Sequence, residues 1–357
     1  MNRLLLFPAA LTALSFLAAQ AEEPKELELV QTIADPEGAY CLAISNDGKF
    51  VYSTGPSTFK RDAETGQLTA GLVAKGFGGL RLQLSPDGKY MAFSGSGVIC
   101  KRDEDTGDLH KIADLSDGTT GPYGSADDIS MSGDNRFLYT ATTNGVGVFH
   151  LEGEKITFIE SAEADGNLKG MRAVLVSPDG HWVYAAGTSS GTLGVFRRDA
   201  ASGKLESVQM LSDGKGGLTG LHGVFHLAVS NDSKDLYISA GRFVTEQVIS
   251  GFEVQADGQL KLFQQFVNGT DDFSEFEGAN DIKVSPDGKF VFAAASISDR
   301  LFRFSRNLEN GKLTFVASQQ AGTFATPGAA ALYFSPDGKF VYVGDEKERA
   351  IEVYKLP

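Results

Sequence analysis

The sequence predicts an all-β fold, a ring of seven four-stranded antiparallel sheets known as a β-propeller, and three observations support this prediction. A tight turn that begins with Ser recurs seven times, a second turn ending in Gly recurs between the copies, and no segment after the first 21 residues has helical periodicity. The first turns are at 45–48, 85–88, 132–135, 177–180, 230–233, 285–288 and 335–338. Copies spaced 40 to 55 residues apart are typical of stacked or radially arranged units.

The first turn connects two apolar strands. In its best copies it reads Ser-Pro-Asp-Gly: Pro presets φ, Asp hydrogen-bonds nearby backbone, and Gly accepts the positive φ that closes the hairpin. The strand that follows is rich in aromatic and β-branched residues, as at 49–52, 181–184 and 339–342. Each copy therefore predicts a hairpin corner between the first and second strands of a unit.

A second turn lies about a dozen residues beyond each hairpin. Its clearest copies are at 61–66, 102–107, 198–203 and 306–311, with looser copies at 152–154 and 255–258. Each unit therefore has four strands, and four-stranded antiparallel sheets repeated around an axis form a β-propeller. Both kinds of turn lie on one rim of the disc, so the remaining loops surround the mouth of the central channel on the other rim.

The two ends of the repeat predict how the ring closes. The seventh unit ends with its third strand, at 350–355, whereas an additional strand, at 27–33, precedes the first unit. We expect strand 27–33 to pair outside strand 350–355 and complete the seventh sheet, because an open sheet edge favours aggregation. The repeat fills nearly the whole chain, so we expect residues 22–357 to form one domain.

Residues 1–21 have the pattern of a secretory signal peptide. Arg3 supplies the positive start, residues 4–17 are the apolar run, and residues 19–21 are a small-residue cleavage site. The apolar run is too short to span a bilayer. We therefore expect the mature protein to be periplasmic or secreted, without membrane insertion.

Charge and cysteine content limit the possible partners and cross-links. A formal net charge of −14 disfavours nucleic acid and anionic lipid as partners, and we expect a monomer. Cys41 and Cys100 would be permitted to form a disulfide in an exported protein. Because Cys41 opens an innermost strand and Cys100 lies in a third strand, two buried free thiols are the favoured interpretation.

The innermost strand of each unit carries the candidate functional residues. Positions −3 and −1 relative to the turn Ser are apolar in all seven units, and this alternation places them in the core. Position −4 differs, and from unit one to unit seven it holds Cys41, Arg81, Asp128, Ala173, His226, Asp281 and Ala331. Asp127, Arg172 and Asn280 lie one residue earlier, and His222 lies four residues before His226.

We expect these polar side chains to meet at the mouth of the channel, where loops on a rigid scaffold concentrate function. Solvated lining of a water-filled channel is the alternative interpretation. His222 and His226 would lie roughly 13 Å apart in an extended strand, which disfavours a zinc ion held by these two residues alone.

The acidic, glycine-rich loops at 115–118, 211–214 and 268–275 contain hard oxygen ligands suited to Ca²⁺ or another divalent cation. They lack the spacing of an EF-hand, so ordinary acidic turns are the alternative.

Gly187–Gly191 matches the G-x-S-x-G motif of hydrolases but joins two strands rather than a strand and a helix. A cofactor-carrying oxidoreductase is disfavoured, because the chain has neither a dinucleotide-binding fingerprint nor a haem-attachment motif.

The repeated Ser-Pro-Asp-Gly-Lys-Phe-Val-Tyr-Val, best preserved at 335–343, precedes an apolar strand and Arg-Asp-x-x-[Ser/Thr]-Gly-x-Leu. This combination resembles the seven-bladed β-propeller lactonase family and the related YVTN-type repeats over about residues 25–357. The resemblance implies the propeller fold and an activity such as the opening of 6-phosphogluconolactone or the related muconate cycloisomerisation. It also implies a site at the channel mouth built from Arg, His and acidic side chains.

The resemblance and the channel residues together favour an exported lactonase-like hydrolase that opens a cyclic ester such as a sugar lactone. Such a reaction needs a base that activates water and a cation near the developing oxyanion. The candidate base is His226 or Asp281, and the candidate cations are Arg81 and Arg172. Asp128 and His222 complete the predicted site. Export does not fit a phosphorylated sugar lactone of central metabolism.

A non-catalytic propeller that binds a protein, peptide or glycan in the periplasm or outside the cell is the competing class, because fold alone does not decide function. A deep pocket with a charged floor would favour the enzyme. A broad, flat patch of exposed aromatic residues such as Phe243, Phe273 and Phe276 would favour the binding protein.

Overall fold

The computed structural model describes residues 26–74, 78–118, 123, 126–163, 167–241, 244, 246–270, 273–321, 328–345 and 347–357. The predicted signal peptide and Phe243 lie outside these ranges. Within them no helix has both the length and the apolar character needed to cross a membrane.

The described residues form seven four-stranded antiparallel sheets, the blades of a propeller. Blade 1 contains β2 (Leu42–Ile44), β3 (Phe50–Ser53), β4 (Ser57–Arg61) and β5 (Leu68–Val73). Blade 2 contains β6 (Leu82–Leu84), β7 (Tyr90–Phe93), β8 (Val98–Arg102) and β9 (Leu109–Asp114). Blade 3 contains β10 (Ile129–Met131), β11 (Phe137–Ala141), β12 (Val146–Glu152) and β13 (Lys155–Ala162). Blade 4 contains β14 (Met171–Val176), β15 (Trp182–Gly187), β16 (Thr192–Arg198) and β17 (Leu205–Ser212). Blade 5 contains β18 (Val224–Val229), β19 (Asp235–Ala240), β20 (Val248–Val254) and β21 (Leu260–Val267). Blade 6 contains β22 (Ala279–Val284), β23 (Phe290–Ala295), β24 (Arg300–Arg306) and β25 (Leu313–Gln320). Blade 7 contains β26 (Ala329–Phe334), β27 (Phe340–Asp345), β28 (Ala350–Lys355) and β1 (Glu28–Ala34).

The first strand of each blade contacts the first strands of both neighbouring blades, and β26 of blade 7 contacts β2 of blade 1, which closes the ring. The predicted closure is confirmed: β1 pairs antiparallel with β28, with Glu28 opposite Lys355 and Ala34 opposite Ala350. The seven-bladed all-β fold is therefore as the repeats predicted.

The recurring Ser and Asp of the first turn hold each hairpin together. In all seven copies the Ser hydroxyl donates to the Asp carboxylate two residues later, at 2.5 to 2.7 Å. The same hydroxyl accepts the backbone N–H five residues later, at 2.9 to 3.0 Å. Each turn thus provides its own side-chain bridge between the first two strands.

The hydrophobic core lies between the blades. One cluster, for example, packs Leu193 and Val195 of blade 4 against Leu227 and Ile238 of blade 5. Cys41 and Cys100 are both buried as free thiols in the cluster between blades 1 and 2, so no disulfide joins them. Phe273 and Phe276 are buried against blade 6, so these two residues do not form the exposed aromatic patch that would favour a binding protein.

The Arg that opens the second turn forms an inter-blade clamp with the preceding blade. Arg61 donates from Nε to the Tyr342 hydroxyl (2.6 Å) and from Nη2 to the Asp337 carboxylate (3.0 Å). Similar clamps are formed between blades 1 and 2, 3 and 4, and 5 and 6 by Arg102, Arg198 and Arg306. The backbone N–H of each clamp Arg donates to the carbonyl of the residue just before the second strand of its own blade. In blades 3, 5 and 7 the residues that make this same backbone bond are Leu151, Val254 and Leu356.

Candidate active site

An axial cavity of about 80 Å³ lies between the innermost strands. Its lining includes positions −4 and −2 of those strands, which period-2 alternation points towards the axis, together with several residues at core position −3. Position −4 contributes Arg81, Asp128 and His226, and position −2 contributes Lys283 and Tyr333. Since a buried water needs only roughly 10 to 15 Å³, the cavity has room for a few water molecules.

Arg81 extends from blade 2 to the far wall of the cavity. Its side chain is buried, and Nη2 donates to the backbone carbonyls of Asn280 (3.3 Å) and Phe225 (3.5 Å). Nη1 is buried without a hydrogen-bond partner among the described residues. Burial opposes the charge, but the nearby Cys41, Asp281 and Asp128 outweigh it and raise the pKa of Arg81. The cavity therefore contains a permanent cation with one unused donor group.

His226 lines the same cavity and forms a close pair with Asp281 behind it. His226 Nδ1 lies 2.8 Å from Asp281 Oδ1, although the N–H is not well aligned with that oxygen. Burial is the largest effect on His226 and lowers its pKa despite the carboxylate. The imidazole is therefore neutral near pH 7, and with its proton on Nδ1 towards Asp281, Nε2 is a proton acceptor.

Asp281 stays ionised although it is buried. Burial would raise its pKa, but His226, Lys283 and Arg81 together hold the pKa of this carboxyl well below its usual range. Both carboxylate oxygens also accept backbone N–H groups, from Ile282 in blade 6 (2.8 Å) and Leu332 in blade 7 (2.8 Å). Asp281 therefore joins two blades and holds the imidazole at the same time.

Asp128 makes the equivalent connection between blades 3 and 4. Its carboxylate accepts from the backbone N–H groups of Ile129 (2.9 Å) and Val174 (3.0 Å). This shared geometry shows that an acid at position −4 is a structural feature of the ring as well as a wall of the cavity.

Two residues of the cavity were missed in the sequence analysis. Lys283 Nζ lies 3.8 Å from Asp281 Oδ1 and 5.7 Å from the centre of the Tyr333 ring. Burial raises the pKa of Tyr333 to about 12, so its hydroxyl stays protonated. The sequence contained a pattern that could have identified these residues, because positions −4 and −2 share one face of a strand. A Lys at position −2, between the apolar core positions −3 and −1, is also unusual.

Arg172 and His222 do not line the axial cavity. Arg172 pairs with Asp127 at 2.7 Å, and both side chains are partly exposed one residue before the −4 position. Burial raises the pKa of Asp127, against the opposing effect of Arg172. His222 lies in the 3₁₀ helix Leu221–Gly223 and is exposed; its ring packs over Gly191, where an added Cβ would be 2.5 Å from Nε2. The structure thus places His222 over the second-to-third-strand turn of blade 4.

The loops proposed for cations have other roles where they are described. Asp114 accepts from Ser116 N and caps a short 3₁₀ helix, and Asp213 accepts from Leu221 N. In the part of the chain that the structure describes, no three His, Cys, Asp or Glu side chains are arranged to hold a metal ion. Residues 271 and 272 lie outside the described residues, so the divalent cation stays a prediction from sequence.

A second group of buried carboxyls lies in blades 6 and 7, away from the axis. Glu352 is buried, Tyr354 donates to its Oε2 (2.8 Å), and its Oε1 has no hydrogen-bond partner among the described residues. Burial, followed by the negative charges of Asp299 and Asp345, raises the pKa of Glu352 from 4.5 to about 7. The folded protein therefore holds a proton here that the unfolded chain releases at lower pH.

This raised pKa predicts that stability falls as pH rises from 4.5 to about 7, because the folded state binds more protons in that window. Relative to wild type, Glu352→Gln is expected to gain about 2 to 3 kcal/mol of unfolding free energy between pH 5 and pH 8. Urea unfolding at the two pH values measures this difference. The exposed Glu206→Gln is the control, and equal pH dependence in wild type and Glu352→Gln would contradict the prediction.

Fold and site together define a seven-bladed propeller with a charged, largely buried cavity on its axis. The model of the family "Lactonase, 7-bladed beta-propeller" matches residues 58–219 and 218–357. The chain belongs to this family.

Individual relatives are distant. A periplasmic gluconolactonase of Pseudomonas aeruginosa is 20% identical, with a TM-score of 0.62 over 79% of this chain and 85% of that one. A candidate 6-phosphogluconolactonase of Bacteroides uniformis is 20% identical, with a TM-score of 0.63 over 78% and 87%. An uncharacterized protein of Lactococcus lactis subsp. cremoris is 23% identical over 230 residues, which are 61% of this chain and 64% of the relative. These likenesses show the fold.

Proposed function

We propose that this protein hydrolyses a lactone at the axial cavity. The observation that carries the proposal is a neutral imidazole, His226, that lies beside the ionised Asp281 carboxylate and shares one largely buried cavity with two cations, Arg81 and Lys283. A base and a cation near a developing oxyanion are what ester hydrolysis needs. Membership of the lactonase propeller family supports this reaction class.

In the proposed reaction, His226 Nε2 accepts a proton from water as the water oxygen attacks the lactone carbonyl. The unused Nη1 of Arg81 stabilises the oxyanion. The ring C–O bond then breaks, and the imidazolium returns its proton to the departing alkoxide, which gives a hydroxy acid. Asp281 positions the imidazole and stabilises its cation. Asp281 is a poor base itself, because its pKa is strongly lowered and both oxygens accept backbone N–H groups.

The size of the cavity limits how the substrate binds. A volume of about 80 Å³ accommodates water but not a sugar ring. We propose that the ring binds at the mouth, near the partly exposed Arg172–Asp127 pair, with only its carbonyl directed at Arg81 and His226. An unphosphorylated sugar lactone suits export, which residues 1–21 predict, and the Pseudomonas relative is named as a periplasmic gluconolactonase.

The proposal is tested with purified protein and D-glucono-1,5-lactone, with acid release followed by a pH indicator against the spontaneous rate. Wild type is expected to exceed the spontaneous rate, and Arg81→Met to lose about 10² to 10³ in kcat, as expected for an oxyanion donor. Arg197→Met, which removes an exposed Arg paired with Glu206, is the matched control. Acid release no faster than in buffer would rule out this substrate, and equal rates for Arg81→Met and wild type would remove Arg81 from the mechanism.

We also propose that the mature protein is an exported monomer that binds neither nucleic acid nor membranes. Size-exclusion chromatography with light scattering and cell fractionation measure these properties. A dimer, or protein retained in the cytosol, would contradict this proposal.

A further inference from the structure

A cleft of about 400 Å³ opens between blades 6 and 7 on the turn-bearing rim, opposite the channel mouth. It shares no lining residue with the axial cavity. Its volume is within the range of small-molecule sites, roughly 300 to 1,000 Å³.

The cleft exists because this interface lacks the inter-blade clamp. Where the clamp forms, an Arg from one blade fills the space against a Tyr of the preceding blade, as Arg61 does against Tyr342. At the interface of blades 6 and 7 the corresponding residues are Leu356 and Phe292, which are shorter or lack the hydroxyl. The missing guanidinium leaves unfilled volume between two aromatic-rich strands.

The walls of the cleft are mainly apolar and one of them carries a cation. Phe290, Phe292, Leu356 and two prolines of the turns supply the apolar surface. Arg303 pairs with Phe292 in the sheet register, is 7% exposed, and lines the same space. Burial lowers the pKa of Arg303, although a guanidinium stays protonated near neutral pH.

The two acids at the edge of the cleft have cationic neighbours of their own. Asp337 is bound by Arg61 at 3.0 Å, and Asp287 lies 3.6 Å from Lys289. Neither carboxylate is therefore a bare negative charge facing the cleft. An aromatic-walled space with a guanidinium on one wall favours a ligand that combines an apolar body with an anionic group, because Arg binds carboxylates with charge-assisted hydrogen bonds.

We propose that this cleft is a binding site for a small organic anion, of the class of aromatic or branched aliphatic carboxylates. The carboxylate pairs with Arg303 and the apolar body packs on Phe290, Phe292 and Leu356. The proposal does not depend on the reaction at the axial cavity.

The test is isothermal titration of the full-length mature protein with 3-phenylpropionate and its neutral analogue 3-phenylpropanamide. The acid is expected to bind at least about tenfold more tightly than the amide. Arg303→Met should remove most of this preference, Arg303→Lys should retain part of it, and the exposed Arg197→Met should retain all of it. Leu356→Trp, which narrows the cleft, should weaken binding of the acid even if Arg303→Met fails to fold.

Absence of binding by 3-phenylpropionate would overturn the proposal. Equal binding of acid and amide would also overturn it, as would acid binding that neither Arg303→Met nor Leu356→Trp weakens.

Discussion

Replacement of His226 by Gln is expected to lower kcat for lactone hydrolysis by about 10² to 10⁴, because it removes the only neutral base placed beside Asp281 among the described residues. Gln keeps a hydrogen-bond donor near the carboxylate and a similar volume, so the fold should be retained. Steady-state kinetics on D-glucono-1,5-lactone, with thermal melting as the folding check, measures the effect. His110→Gln, an exposed His in blade 2, is the matched control.

The pH dependence of the wild-type enzyme gives a second readout of the same residue. Burial lowers the pKa of His226 below 6.5, so the imidazole remains neutral and active as pH falls to 6.5 and protonates only under more acidic conditions. The acid limb of kcat/KM should therefore lie below pH 6.5 and be absent from the residual activity of His226→Gln. An unchanged kcat in His226→Gln, or an acid limb above pH 6.5, would contradict the assignment.

Replacement of Asp281 by Ala is expected to destabilise the protein by about 3 to 5 kcal/mol, the usual cost of breaking a buried ion pair by removing one partner. The change leaves the N–H groups of Ile282 and Leu332 without their acceptor and leaves Lys283 without its nearby carboxylate. It also removes a link between blades 6 and 7. The expected loss is among the largest for a single side chain in this propeller.

Urea unfolding, followed by the fluorescence of the single Trp182, measures the change in free energy of unfolding. Asp105→Ala, in an exposed turn, is the control and should stay within about 0.5 kcal/mol of wild type. Asp128→Ala breaks a comparable pair of backbone contacts and should also destabilise, by about 1 to 3 kcal/mol. A loss of less than 1 kcal/mol in Asp281→Ala would show that the carboxylate does not hold the two blades together.

The blades were predictable because their signals are local. Each first turn bridges its own hairpin, with the Ser at position 335 bonded to residues only two and five positions later. Ring closure followed from counting strands, since one strand was missing at the end of the repeat and one was additional at its start. Both inferences needed only the order of residues along the chain.

The site was only partly predictable because its contacts are long-range. Position −4 holds Arg81 and His226, which both line the axial cavity, whereas the acceptor role of Asp281 depends on Leu332, 51 residues away in the next blade. The clamp of Arg61 depends on Tyr342, 281 residues away. His222 does not line this cavity, since it lies in a short 3₁₀ helix before β18 and packs over Gly191.

The aromatic residues of the long loop after β21 are buried rather than exposed. Phe273 and Phe276 were candidates for an exposed binding patch, but both pack against Phe302 and neighbouring rings. These buried apolar residues anchor an otherwise acidic loop to the core. The two described members of that patch therefore give no support to the binding-protein alternative.

Lactone binding at the axial opening is tested most directly by a crystal structure with D-gluconolactam, a slowly reacting analogue of the lactone. We predict the lactam ring at the channel mouth, with its carbonyl oxygen within hydrogen-bonding distance of Arg81 and the carbonyl carbon facing His226. Lactam bound on the opposite rim or at the outer edge of the blades, with the axial opening vacant, would contradict it.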